Sequence, residues 1–363
     1  MLFGIFGTPS PLTSWMVGAV RTVIELSFPQ NNFVETSNLD QLREALKNSG
    51  DVPLVYFFDS PEADVVEAFL GADAPFLVCL ESPLEVLGYC MRAREMRPVD
   101  ALRFGSMCFA TLHDLALSPK AKVIQRNPDL LVSDCIVDIW TTFSLAHDPA
   151  LAVEAVRRLV GGLELRDERV DDLIVRLFPH ALPFGKFSNQ MIEMGVPNWV
   201  AKTLSHFGQI ASGNAVDTVF WPRDAFLDPH SSEHPIAPFQ DLTGPSRGLI
   251  FGPFLYLPAG KWRIVASLEI VDVGSNALRA DVAIAGEPVA VVKFNLPDRG
   301  RFEFSLEFEV KEPRQYLEFR IILAQGAIEG LFWFGGVMIV RSGSDSLNEL
   351  NPGVPTNLLD SAG

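Results

Sequence analysis

The sequence predicts an α/β domain built on a parallel sheet, followed by an antiparallel β-sandwich or jelly roll. Three observations lead there. Up to about residue 207, short and uniformly apolar runs alternate with segments of helical spacing. From 208 to 247 the chain holds Pro222, Pro229, Pro235, Pro238 and Pro245 among Gly, Ser and Asp residues, which reads as a connector. After 247 the apolar residues recur at every second position. The expected organisation is therefore an α/β domain over 1–207, a connector over 208–247, a sandwich over 248–341 and a flexible tail over 342–363.

Leu2 to Phe6 is a short apolar strand, and Thr13 to Leu26 carries Trp15, Val17, Val20, Val23 and Ile24 at helical spacing. Leu39 to Lys47 reads as a second helix, Leu54 to Phe58 as a strand and Ala63 to Leu70 as a helix. Phe76 to Leu80 is a third strand, leading into a helix from Leu84 to Arg94. Strands without polar alternation are covered on both faces, as in a parallel sheet flanked by helices. Further helices are expected at Asp100–Ala116, Ile136–Ala146 and Ala150–Val160. A last helical stretch, Leu173 to Phe207, is broken by Pro179, Pro183 and Pro197.

In the second half, Phe302, Phe304, Leu306, Phe308 and Val310 alternate with Glu303, Ser305, Glu307 and Glu309. Trp262, Ile264, Ala266, Leu268 and Ile270 repeat the pattern, as do Leu317, Phe319, Ile321 and Leu323. About eight half-buried antiparallel strands fit this stretch, as in a two-sheet fold.

Composition narrows the function. The formal net charge is −16 in 363 residues, a surface that repels phosphate backbones and anionic bilayers, so neither nucleic acid nor a membrane face is an expected partner. The sequence holds no apolar run long enough to span a bilayer. Its start lacks a basic segment and is interrupted by Pro9 and Pro11, so a signal peptide is not expected. Cys79, Cys90, Cys108 and Cys135 sit in apolar segments without C-x-x-C spacing. They read as buried thiols of a cytoplasmic protein.

The most informative stretch is the start, Leu2-Phe3-Gly4-Ile5-Phe6-Gly7-Thr8-Pro9-Ser10-Pro11-Leu12-Thr13-Ser14-Trp15. A strand ends, a tight loop follows, and hydroxyl residues open a helix. In this layout the free N–H groups of a helix start face an anion. Thr8, Pro9, Ser10, Thr13 and Ser14 are thus candidate phosphate-binding residues. The alternative is that Thr13 and Ser14 only cap the helix.

The N-terminal half, over about residues 1–165, resembles the sulfotransferase superfamily, P-loop-like enzymes that use the sulfate donor PAPS. Their phosphosulfate loop keeps a proline, a basic residue, a glycine, a hydroxyl pair and an aromatic or leucine. Here Pro9, Thr13, Ser14 and Trp15 fill matching slots, while Ser10 replaces the basic residue and Leu12 the glycine. A second family element follows an apolar strand with an arginine and a proline. Here Glu81-Ser82-Pro83 follows Phe76–Leu80, with Glu81 in the arginine slot. Arg126-Asn127-Pro128-Asp129 is a rival placement. The third element, an acidic strand before Asp-Pro and a helix, is matched by Ile136-Val137-Asp138-Ile139, then Asp148-Pro149. The resemblance implies that Ser82 joins the nucleotide site and that PAPS or its product PAP is the cofactor, if one is used at all. It also implies an acid–base residue, for which His113 is a candidate, with Asp59 after the second strand as another.

His230-Ser231-Ser232-Glu233-His234 matches a zinc pattern by letters, but Pro229 and Pro235 make the required helix improbable. In the sandwich, Leu257-Pro258-Ala259-Gly260-Lys261-Trp262 resembles the entry strand of glycan-associated modules. Trp333 is expected in the core, with sugar stacking as the alternative. Two readings follow. One is a divergent, non-catalytic transferase-like body with a glycan-binding or small-molecule-binding sandwich and no required cofactor. The other is an active transferase moving sulfate, or a related group from a nucleotide donor, to a glycan hydroxyl.

Overall fold

A computed structural model describes residues 1–343 apart from 73, 147, 162–167, 230, 274–276 and 297–298, and describes only the backbone of 231–234 and 271–273. The α/β half runs β1 (Leu2–Gly7), α1 (Pro11–Ser27), β2 (Asn32–Glu35), α2 (Leu39–Ser49), β3 (Leu54–Phe58), α3 (Ala63–Gly71), β4 (Phe76–Leu80), α4 (Pro83–Ala93), α5 (Pro98–Leu117) and β5 (Ala121–Gln125). Then come α6 (Val132–Thr142), α7 (Pro149–Val160), α8 (Val170–Leu177), α9 (Phe187–Gln190), α10 (Asn198–Ser205) and α11 (Gly208–Ala211). The five strands form one parallel sheet in the order β2-β3-β1-β4-β5.

Strand β4 is buried from end to end and β1 from Phe3 onward, as their unbroken apolar runs require. The helices follow their apolar spacing. In α6, Val132, Cys135, Ile136, Ile139 and Trp140 form one buried face at intervals of three and four residues. Ile136–Ile139 is therefore helical, where the sulfotransferase pattern has a strand. The four cysteines are all buried free thiols, and burial raises the Cys79 and Cys135 thiols.

The second half contains β6 (Thr218–Trp221), β7 (Leu227–Asp228), β8 (Ser231–Pro235), β9 (Phe239–Asp241), β10 (Arg247–Ile250), β11 (Pro253–Leu255), β12 (Gly260–Val273), β13 (Ala277–Ile284), β14 (Glu287–Asn295), β15 (Gly300–Val310), β16 (Leu317–Leu323) and β17 (Gly330–Arg341). One antiparallel sheet has the order β10-β16-β13-β14, with β11 also on β16. The other runs β15-β12-β17-β6, with β9 also on β17. The fold class is thus a parallel-sheet α/β domain followed by an antiparallel β-sandwich.

The alternating residues point inward as their period of two demands. Trp262, Ile264, Ala266 and Leu268 face Phe319, Ile321 and Leu323 across the sandwich, and all are fully buried. Phe332 and Phe334 also belong to this core, but Trp333 between them does not. Strand parity turns it to the outer face, which corrects the expectation of a core position.

The two halves share one hydrophobic cluster that includes Tyr56 and Phe109 on one side and Trp262 and Phe319 on the other. Polar ties reinforce the seam. Arg103 Nε donates to Pro253 O at 3.1 Å, and Arg314 Nη1 lies 3.1 Å from Glu62 Oε1. The Ala63 N–H donates to Glu312 Oε2 at 3.3 Å.

Candidate functional site

The carboxyl edge of the parallel sheet collects most of the candidate residues, because each follows a strand. Asp59 follows β3, Thr8–Ser10 follow β1, Glu81 and Ser82 follow β4, and Arg126 follows β5. Open α/β sheets bind ligands at this edge.

The loop after β1 is closed upon itself. Ser10 is the N-cap of α1, and its hydroxyl accepts the Thr13 N–H at 3.1 Å. The helix opens at Pro11, which has no N–H to offer. The Thr13 hydroxyl donates to Thr8 O at 2.6 Å, and the Ser14 hydroxyl donates to Ser10 O at 3.2 Å. The cap is thus Ser10, where Thr13 and Ser14 were the expected caps; their hydroxyls turn back onto the loop carbonyls instead. Thr8 Oγ1 accepts the Glu81 N–H at 3.1 Å, tying the loop to the end of β4. Gly7 is required there, since a Cβ would lie 2.5 Å from Thr13 Oγ1. Thr8, Ser10, Leu12 and Thr13 are all buried, and Ser14 is exposed.

A charge cluster fills the space beside this loop. Glu81 is fully buried, and its Oε1 accepts from Arg126 Nη1 at 3.0 Å. Burial raises the Glu81 carboxyl to about 7, even with the Arg126 charge pulling it down. Arg126 also donates from Nε to Asp171 Oδ1 at 2.8 Å and from Nη2 to Leu182 O. Glu85 lies one turn into α4, where its Oε1 accepts the Gly185 N–H at 3.1 Å; burial raises this carboxyl as well. Ser82 caps α4 through Glu85 N–H at 3.3 Å.

The segment from His180 to Phe187 closes over this cluster. Arg92 Nε donates to His180 O at 3.0 Å, and its guanidinium lies 5.1 Å from the Phe187 ring. Phe187 seats directly on Gly88, where a Cβ would lie 2.4 Å from the ring. Three carboxylates, Glu81, Glu85 and Asp171, face Arg126 here. That sign of charge repels a phosphate.

Asp59 accepts from Arg94 Nη2 at 3.2 Å and from the Ser60 hydroxyl at 3.0 Å. His113 stands apart from all of these. It lies near the end of α5, whose following strand β5 starts from the amino edge of the sheet. Its Nε2 accepts the Val216 N–H at 3.2 Å, so Nδ1 carries the proton and donates to Asp114 Oδ1 at 2.6 Å. Both ring nitrogens are engaged, which leaves none to take a substrate proton.

A cleft of about 60 Å³ lies instead between α3, the end of α5 and the sandwich, lined by Val66, Thr111, Asp114 and Lys311. Ligand pockets run to roughly 300 Å³ and above. Residues 231–234 of the zinc-like pattern lie in strand β8 (Ser231–Pro235) rather than in a helix, and His230 lies outside the described residues. Among the described residues no cluster of three His, Cys, Asp or Glu is arranged for a metal, and no helix is long and apolar enough to cross a membrane.

The Arg126–Glu81 pair escapes a reading of the sequence because its members are 45 residues apart. The available signal was the coincidence of an acid in the arginine slot with Arg126 in the rival placement of that element.

No family model and no curated protein matches this chain. Among solved structures, mouse sulfotransferase SULT7A1 complexed with PAP is similar at 11% identity, over 52% of this chain and 77% of that one, with a TM-score of 0.34. The EclA C-terminal domain, a sugar-binding protein, is similar at 14% identity over 28% of this chain and 69% of that one, with a TM-score of 0.20. The C-terminal CBM6 of LamC from Zobellia galactanivorans is similar at 16% identity over 28% and 76%, with a TM-score of 0.21. The chain spans 57% of a cyclase from Fischerella sp. TAU and 18% of the arabinofuranosidase MgGH51, which it also matches.

Proposed function

We propose that this chain is a non-catalytic, transferase-like body carrying a glycan-binding β-sandwich, acting in polysaccharide or surface-glycan biology. The observation that supports this reading is the buried Glu81–Arg126 pair. In the sulfotransferase pattern a cation at the Glu81 slot meets a phosphate. Here the protein supplies its own carboxylate and its own guanidinium, with Arg126 Nη1 bonded to Glu81 Oε1 and the other Arg126 donors held by Asp171 and the Leu182 carbonyl. The hydroxyls of Ser10, Thr13 and Ser14 are bonded within the loop, that of Thr8 to the end of β4, and His113 has no free nitrogen. The fold is kept while the groups that would recognise a nucleotide have been turned inward. The four buried free thiols favour a reducing compartment such as the cytoplasm.

The test is calorimetric titration of the full chain with adenosine 3′,5′-bisphosphate, beside the double variant Thr13→Ala, Ser14→Ala. Neither protein is expected to bind. Micromolar binding by the wild type, lost in the double variant, would refute the proposal and restore a transferase that uses a nucleotide donor.

A further inference from the structure

The outer face of the β15-β12-β17-β6 sheet carries a feature that packing does not use. Strand register aligns Arg301, Glu269, Trp333 and Phe239 in one row across β15, β12, β17 and β9. Cross-strand partners share a face, so these four side chains stand on the same side of the sheet. Leu331 and Asp241 form the next pair along. Phe239 is 53% exposed and Leu331 42% exposed. The Trp333 indole folds along its own strand and lies on Gly335. A Cβ at Gly335 would sit 2.6 Å from Cη2 and 2.8 Å from Cζ3. The Cη2–Cζ3 edge of the indole therefore lies over Gly335, whose lack of a side chain leaves room for it. The indole N–H has no hydrogen-bond partner among the described residues and is not buried.

Resting on the glycan-binding reading above, we infer that Trp333, flanked by Phe239 and Leu331, is the platform on which a pyranose ring of a neutral glycan seats. A pyranose presents a face of C–H groups and an edge of hydroxyls. The C–H face packs on the electron-rich face of an aromatic ring. The hydroxyl edge meets donors and acceptors in the same row, the Trp333 N–H, the Glu269 carboxylate and the Arg301 guanidinium. Charge selects the neutral class. Glu269, Glu303 and Asp241 surround the platform against Arg301 and Arg247, on a chain of net charge −16. A sulfated or uronate chain would be repelled. Size disfavours a protein partner, because three apolar side chains fall well short of the roughly 800 Å² per side of a stable interface.

The experiment is affinity electrophoresis of the full chain through gels holding neutral glucan, xylan or galactan, or else dextran sulfate or polygalacturonate. Wild type is compared with Trp333→Ala, Trp333→Phe, Gly335→Ala and the remote surface control Ile192→Ala. Thermal melting checks that each variant folds. At least one neutral polysaccharide should retard the wild type and Ile192→Ala. Trp333→Ala should bind about tenfold more weakly or worse, Gly335→Ala should be weakened by displacing the ring, and Trp333→Phe should bind in between. Equal retardation of wild type, Trp333→Ala and Gly335→Ala would overturn the platform while leaving glycan binding intact. Retardation by the acidic polymers alone would overturn the neutral assignment. No retardation in any gel would remove the glycan-binding reading itself. A concentration-dependent dimer abolished by Trp333→Ala would make a second copy the occupant and overturn the inference.

Discussion

Replacing Arg126 by Met removes the only cation bonded to Glu81 among the described residues while keeping much of the side chain's apolar bulk. Glu81 has no solvent exposure, so its carboxylate would be left in a low-dielectric site with nothing opposite it. Breaking a buried pair from one side costs about 3–5 kcal/mol. For a domain of this size each kcal/mol moves the melting temperature by roughly 2–4 °C, which gives a drop of about 6–20 °C. The pH dependence separates this cause from a simple packing defect. In the wild type the Glu81 carboxyl is raised to about 7, so the folded chain keeps a proton that the unfolded chain releases near its ordinary value of 4.5. That contribution is fully present below the unfolded value and is lost as the pH climbs to about 7. Without Arg126 the folded value rises further, and the loss extends to higher pH. The variant's deficit should therefore be smaller at pH 5, where Glu81 is neutral, than at pH 8. The double variant Glu81→Gln, Arg126→Met should be less destabilised than the sum of the two singles. Calorimetric melting at pH 5, 6, 7 and 8 measures all of this. A deficit under about 1 kcal/mol at pH 8, or one equal at pH 5 and 8, would refute the argument.

Two further outcomes follow from the same geometry. His113→Phe should cost about 1–3 kcal/mol in urea unfolding, because the buried Val216 N–H loses its acceptor; a neutral result would mean that His113 does not fasten the connector. Gly88→Ala should cost about 1–3 kcal/mol by driving a methyl into Phe187, whereas Gly71→Ala, which meets nothing within 4 Å, should be near neutral; equal melting temperatures would exclude the seal over Glu85.

How much of this was legible in the sequence depended on where each residue sits. β1, β3 and β4 are announced by unbroken apolar runs, since the middle of a parallel sheet is covered on both faces. β2 (Asn32–Glu35) and β5 (Ala121–Gln125) went unread. Both are edge strands, and half their residues meet solvent, which dilutes the apolar signal. In the sandwich the period of two named the inward faces, and the same parity places Trp333 outward between Phe332 and Phe334. The aromatic density of that stretch concealed it. At the site, the missing basic residue and the intruding Glu81 were visible as letters. Their resolution was not, because Arg126 arrives from the neighbouring strand and Leu182 and Gly185 from a later turn. Local spacing carries no information about such long-range closure.

The seam between the halves has a consequence for how this chain is inherited. Tyr56, Phe109, Trp262 and Phe319 sit in one apolar cluster, and β6 emerges directly from the connector into the β15-β12-β17 sheet. Modules joined by slack tethers can be shuffled, duplicated or discarded one at a time. These two are welded: deleting the α/β half would leave the sandwich with an uncovered flank, and deleting the sandwich would strip α5 of its neighbour. The α/β body is thus the foundation on which the sandwich stands.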